Sequence, residues 1–273
     1  MDFIAEKILA GEPLNDIRFV DIHAHTMDSG YHSWYTKNTD PDYAYIETMD
    51  RIGVDEIIVS SIMALGSDRV RGNELTKELI NKYPDRIKGY ITVNGNFPEE
   101  LEQEIEKYKD TPGFVGVKFY TALGMCSLDN PNLDKVYELV SKYNMMLLVH
   151  TWGSDGYPCA PNKFRRNLEK YPELKLVVGH AGGDWYGHQE TVALMRDYPN
   201  VHWDVTGTEF GHMWMEDIVQ AVDPKRIVYG SDIGGMDNRH YVGTVGLANI
   251  DVETKLDILG RNADRLLNSL AHL

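Results

Sequence analysis

Short apolar runs and stretches of helical period alternate along this chain. The runs lie at 18–22, 55–63, 86–93, 114–119, 145–149, 174–178, 201–205 and 227–229, rich in Val, Ile, Leu and aromatic residues, and they predict eight β-strands. Between and after them, apolar residues three and four apart predict helices over 40–52, 73–83, 98–108, 133–143, 164–171, 188–198, 214–222 and 251–270. Pro98 opens its helix, where a missing N–H costs nothing, and Pro172 and Pro199 follow the ends of theirs. Regular strand–helix alternation argues for a parallel sheet with helices outside it, and eight such units in one chain of this length match a (β/α)8 barrel. The expected organisation is a single barrel domain over 1–273, with 1–16 as an N-terminal helical extension carrying Phe3, Ile4, Ile8 and Leu9 on one side.

Composition narrows the class. The chain has 273 residues with 42% hydrophobic side chains, enough for a sizeable core. Its formal net charge of −15 disfavours nucleic acid or an anionic membrane surface as partner. Two cysteines, Cys126 and Cys159, form no disulfide framework, which points to a reducing compartment. No apolar run approaches a bilayer span, and the first residues lack the basic start and apolar core of a signal peptide, so a cytoplasmic address is expected. The partner expected is a small molecule, and a homo-oligomeric state is compatible with the sequence.

The chemistry gathers where the apolar runs stop. Val20-Asp21-Ile22-His23-Ala24-His25 sets two histidines two apart, on one face of a strand. Two imidazoles make half of a metal site, since a first-row ion takes four or more ligands. Further ionisable groups end later runs: Lys118, His150, His180 and Asp232. In a barrel all these ends meet on one rim, where active sites sit. Burying them there without partners would be costly, and a metal ion would satisfy them together. Each has a plain alternative. His150 and His180 could be hydrogen-bonded core histidines, Asp232 could cap a following helix, and Lys118 could pair with Asp232. The irregular stretch 26–38, with Met27, His32, Trp34 and Tyr35, reads equally as a lid or as a loop packing its aromatics on the rim.

Taken in order, Asp21-Ile22-His23-Ala24-His25, Gly116-Val117-Lys118, Val149-His150, Gly179-His180-Ala181-Gly182-Gly183, Gly230-Ser231-Asp232 and the terminal 258–267 segment resemble the amidohydrolase superfamily. The nearer resemblance is to its amidohydrolase-2 branch, which includes aminocarboxymuconate-semialdehyde decarboxylase-like enzymes. It implies a distorted (β/α)8 barrel and a divalent metal, zinc before manganese. It implies His23, His25, His150 and Asp232 as metal ligands, and His180 as the sixth-strand histidine that contacts water or substrate, or binds a second ion. Lys118 stands where binuclear relatives carry a carboxylated bridging lysine. Tyr120 departs from the pattern, since relatives often have histidine just after the lysine. Gly116, Lys118 and Tyr120 share a face if the strand runs on, and a tyrosine there closes the space a bridge needs, so one ion is expected rather than two.

The expected mechanism is metal-assisted hydrolysis of a lactone, ester or amide. Asp232 would move the water's proton, His180 would orient the water or stabilise the oxyanion, and Tyr120, Trp152, His32 and Trp185 would contact the substrate. The alternative is non-oxidative decarboxylation of an aromatic or unsaturated carboxylic acid, which calls for an arginine fork on the carboxylate. Arg69, Arg71, Arg165, Arg166 and Arg239 are the candidates, and none directly follows a strand end. A non-catalytic barrel is the third reading, and the intact set of ionisable residues argues against it.

Overall fold

The computed structural model describes residues 1–26, 41–66, 68–121, 126–207, 213–237 and 239–270, with backbone only for 41–44. Eight strands pair in parallel and in chain order: β1 (Val20–Thr26), β2 (Glu56–Ser61), β3 (Ile87–Thr92), β4 (Phe114–Phe119), β5 (Met146–His150), β6 (Lys175–Gly179), β7 (Val201–Asp204) and β8 (Ile227–Val228). The segment after β8 returns to β1. Ile22 N–H donates to Tyr229 O at 3.0 Å, Asp232 N–H to His23 O at 2.8 Å, and Ala24 bridges Ile233. The expected (β/α)8 barrel is therefore the observed one.

Side chains alternate between two apolar layers. Ile57, Ile91, Val117, Leu147, Val149, Leu176, Val178 and Trp203 pack into the large cluster shared with the helices. Val20, Ile22, Ile58, Tyr90, Val115, Met146, Leu148, Val177 and Val228 form a separate cluster closed by Ala263, Leu266 and Leu267. The second cluster fills the lower barrel, and the last helix seals it. Burying such aliphatic side chains contributes about 1.5–3 kcal/mol each, which leaves the upper rim free for polar groups.

Two irregularities decide what the rim presents. On β1, Val20 and Asp21 pair with Glu56 and Ile57, but Ala24 pairs with Val59, so β1 carries one extra residue. On β4, Gly89 pairs with Phe114 and Tyr90 with Gly116, again one extra. Such a bulge inverts the facing of everything beyond it. Val20 and Ile22 belong to the inner cluster, Ala24 to the outer one, and His23 and His25 turn inward. On β4, Val115 is inner, Val117 outer, and Lys118 comes inward beside His23.

The structure corrects several sequence expectations. The first strand runs to Thr26 instead of stopping at Ile22, so both histidines lie within it. The helix expected over 251–270 is broken into Val252–Leu256, a π-turn at Asp257–Arg261 and Asn262–Leu267. The Arg18 backbone packs close at the π-turn, where a Cβ on Gly260 would lie 2.1 Å from the Arg18 carbonyl oxygen. The helix at Arg239–Gly246 is not predicted by the pattern, since two glycines lower its propensity and obscure the spacing of Tyr241, Val242 and Val245. The stretch 26–38 lies, but for Thr26, outside the described residues.

Candidate metal centre

The rim residues close around one point. Nε2 of His25 stands 2.9 Å from Asp232 Oδ1, and Nε2 of His23 stands 3.9 Å from the same oxygen. One donor atom from each of His23, His25 and Asp232 lies within 4.8 Å of the others. Each imidazole is held by its other nitrogen, His23 Nδ1 at 2.6 Å from Asp204 Oδ2 and His25 Nδ1 at 2.9 Å from Ser60 Oγ. Both rings thus turn the same nitrogen, Nε2, toward a shared carboxylate. That is how metal-binding histidines are oriented, and the donor set suits a first-row divalent ion.

The remaining residues surround this group. Lys118 is fully buried, with Nζ 2.8 Å from His23 Nε2. The ring of His180 lies 5.0 Å from that of His23 and 4.5 Å from that of His150, centroid to centroid. His180 Nδ1 lies 3.0 Å from Thr206 O. His180 and Ala181 hold positive φ angles of 62° and 46°, and Asp232 one of 56°. Left-handed backbone outside glycine stores strain and clusters at functional sites. Among the described residues, the Asp232 side chain caps no helix. Its backbone oxygen accepts from Gly235 and Met236, leaving the carboxylate to His25.

Burial dominates the electrostatics. It holds His23 and His150 well below the ordinary imidazole value, with Lys118 among the charges that add to the effect, and it lowers His180. Burial pushes Lys118 down to about 8, against the pull of Asp232 and Asp204. Burial would raise the Asp232 carboxyl, but the hydrogen bond and charge of His25, with His23 and His180, hold it well below the carboxylate range. Asp204, further from the open rim, is raised by burial to about 6, with His180 opposing. His23, His150 and His180 held toward the neutral form, and a carboxylate held ionised, are the states that ligation requires.

Beside the centre lies a cavity of about 630 Å³ lined by Tyr120, Thr121, His150, Trp152, Tyr157, Pro158 and Cys159. The Tyr120 ring stands 4.1 Å from that of His150, and Trp152 stacks at 6.4 Å with an interplanar angle of 11°. Of the expected substrate contacts, Tyr120 and Trp152 therefore share this wall. Trp185 stands apart, 65% exposed and absent from the lining, while His32 lies outside the described residues. The candidate arginines are engaged elsewhere: Arg69 with Glu100, Arg71 with Glu78, Arg165 with Asp197, Arg166 with Asp134 and Arg239 with Asp237.

Sequence reasoning misses Asp204, Ser60 and Asp21. Asp21 is buried and accepts from Ser231 N–H at 3.1 Å, tying β1 to the Asp232 turn, and burial raises its carboxyl to about 7. Asp204 carries a usable signal, since it interrupts the seventh apolar run as Lys118 and His150 interrupt or end theirs. Ser60 carries no such signal.

Solved structures share this architecture. The chain matches 2,6-dihydroxybenzoate decarboxylase from Rhizobium at 16% identity and TM-score 0.69, covering 92% of this chain and 99% of that one. It matches an uncharacterised TIM-barrel protein from Bordetella bronchiseptica at 18% identity and TM-score 0.74, covering 93% and 99%. It also matches 5-carboxyvanillate decarboxylase from Novosphingobium aromaticivorans, solved with manganese and 4-hydroxy-3-methoxy-5-nitrobenzoic acid, at 18% identity and TM-score 0.70, covering 93% and 97%. At these identities the likeness speaks for the fold. The sequence itself matches the Amidohydrolase family model over residues 20–268, from the first strand to the sealing helix, and the chain belongs to that family.

Proposed function

We propose that this chain is a metal-dependent, non-oxidative decarboxylase of an aromatic or unsaturated carboxylic acid. The observation that carries the reading is the aromatic-walled cavity beside His150, which suits a flat, apolar substrate body next to a buried His–His–Asp group. The decarboxylases among the similar folds support it. His23, His25 and Asp232 would hold one divalent ion, with His150 as the fourth ligand, and zinc and manganese are the ions to test. A bound ion would supply fixed positive charge toward substrate oxygens.

The chain's own residues would do the rest. Lys118 would serve as the cation that no arginine supplies, countering the substrate carboxylate. Tyr120 and Trp152 would hold the ring. As the C–CO2 bond breaks, its electron pair stays on carbon and takes up one proton, so the acid anion and a proton become CO2 and the decarboxylated compound, with hydrogen where the carboxylate stood. Asp232 would carry that proton, and His180 would orient the reacting group. We place its work in the cytoplasm, where two free buried cysteines persist.

Hydrolysis of a lactone, ester or amide by the same residues is the second reading. It is favoured by the pairing of every candidate arginine with a carboxylate away from the cavity. Purified protein with manganese or zinc, offered a panel of hydroxybenzoates and lactones, separates the two. CO2 in the headspace with a protonated ring product is expected. Ring-opening of a lactone with no CO2 from any acid would replace decarboxylation with hydrolysis. Replacing both His23 and His25 with Ala is expected to remove ion and activity together, and activity of the intact protein is expected to saturate at about one metal equivalent. Full activity after exhaustive chelation would end the metal reading. A need for two equivalents, with bicarbonate speeding reconstitution, would make Lys118 a carboxylated bridge.

A further inference from the structure

Among the described residues, Asp204 is the carboxylate in the upper barrel that joins three strand ends. It is fully buried. Oδ2 stands 2.6 Å from His23 Nδ1 on β1 and accepts the His180 N–H after β6 at 3.2 Å, while Oδ1 accepts the Thr206 N–H after β7 at 3.1 Å. The segment after β8 leaves room for it. A Cβ on Gly230 would lie 2.4 Å from Asp204 Oδ1 and 2.7 Å from the His23 Cβ, so any larger residue there would displace the pair.

The geometry gives Asp204 a task distinct from ligation. It approaches His23 from Nδ1, the side of the ring opposite the nitrogen that faces Lys118 and Asp232. A carboxylate there accepts a hydrogen bond from Nδ1–H and leaves Nε2 with its lone pair. The same oxygen takes the backbone N–H of His180, a residue with φ of 62° that needs an outside partner to stay in the left-handed region.

We propose that Asp204 is a positioning residue, which fixes His23 in the Nδ1–H form with Nε2 toward the metal centre and, through the same oxygen, sets where His180 stands. The inference rests on the metal part of the function proposed above and not on the reaction. It is not a ligand role, and it makes one carboxylate the common reference for two histidines from different strands.

The test uses the full-length chain with ¹⁵N-labelled histidine, read by long-range ¹⁵N–¹H correlation after chelation, with His23 assigned by comparison with His23→Gln. His23 is expected as the Nδ1–H tautomer in the unmodified protein. In Asp204→Asn that signature should be lost or mixed. Calorimetric titration of Asp204→Asn with manganese and with zinc should show affinity weaker by roughly 10–100-fold at unchanged circular dichroism. An Nε2–H tautomer of His23 in the unmodified protein overturns the proposal, even if the variant does not fold. Unchanged manganese and zinc affinity in a folded Asp204→Asn also overturns it. If the unmodified protein binds neither ion, the metal reading fails while the tautomer measurement still decides the role of Asp204.

Discussion

Asp232 receives opposing demands. It must be buried enough to meet His25 and His23, and its 19% side-chain exposure still leaves it open to whatever enters the rim. Asp232→Asn keeps shape and volume but cannot carry the proton that the proposed reaction assigns to Asp232. Turnover is expected to fall by about a hundredfold or more with circular dichroism unchanged, as for loss of a general acid–base. A near-normal rate at normal metal content would remove Asp232 from the chemistry. Residues of this kind are legible in the sequence, because His23, His25, Lys118, His150, His180 and Asp232 each interrupt or end an apolar run. Their supports are less so. Ser60 holds His25 from inside a β-branched strand where a serine is unremarkable, and only its neighbour's ring gives it a task.

At the level of the element, the eight-strand count is readable from pattern because parallel strands, buried on both faces, read as continuous apolar runs. The same property hides the bulges. A strand apolar on both faces gives no parity to check, so the inversion on β1 and β4 leaves no trace in hydropathy, and the pattern alone ends the first strand at Ile22. Strand spacing near the β4 bulge is tight. A Cβ on Gly116 would sit 2.4 Å from the Met146 carbonyl oxygen, backbone that cannot rotate away. Gly116→Ala is therefore expected to push β4 off β5 and cost about 1–3 kcal/mol, the range for overpacking. Urea denaturation measures it, and a midpoint equal to that of the parent would mean the strands yield without strain. The C-terminal segment is likewise not read from periodicity alone: at Gly260, which admits the Arg18 backbone, one expected helix is observed as three pieces.

For the molecule as a whole, the interior sets how stability responds to acid. Burial holds His202 on β7 down to about 4, against an ordinary value of 6.5. The unfolded chain therefore binds a proton there first, and this contribution, full above pH 6.5, is lost as pH falls toward 4. The buried carboxyls Asp21 and Asp204 work the other way, held up to about 7 and about 6, so their unfavourable ionisation eases as pH drops. A difference measurement isolates the histidine. Relative to the parent, His202→Gln is expected to gain up to roughly 3 kcal/mol between pH 6.5 and 4, read from urea midpoints. A constant difference across that range would show that His202 titrates normally. The fold class is plain in the order of elements, but this balance is not, because it depends on which side of a strand each group faces. The wide separation in sequence of the parts of the centre bears on synthesis. Asp21 and Ser231 are bonded across 210 positions, and His25 meets Asp232 over a similar span. A ribosome delivers the two histidines long before their carboxylate, and the carboxylate before the helix that seals the barrel floor. The group proposed to hold an ion is therefore incomplete until the segment carrying Asp232 has been made, and on that proposal metal capture follows the synthesis of the eighth unit instead of accompanying the first.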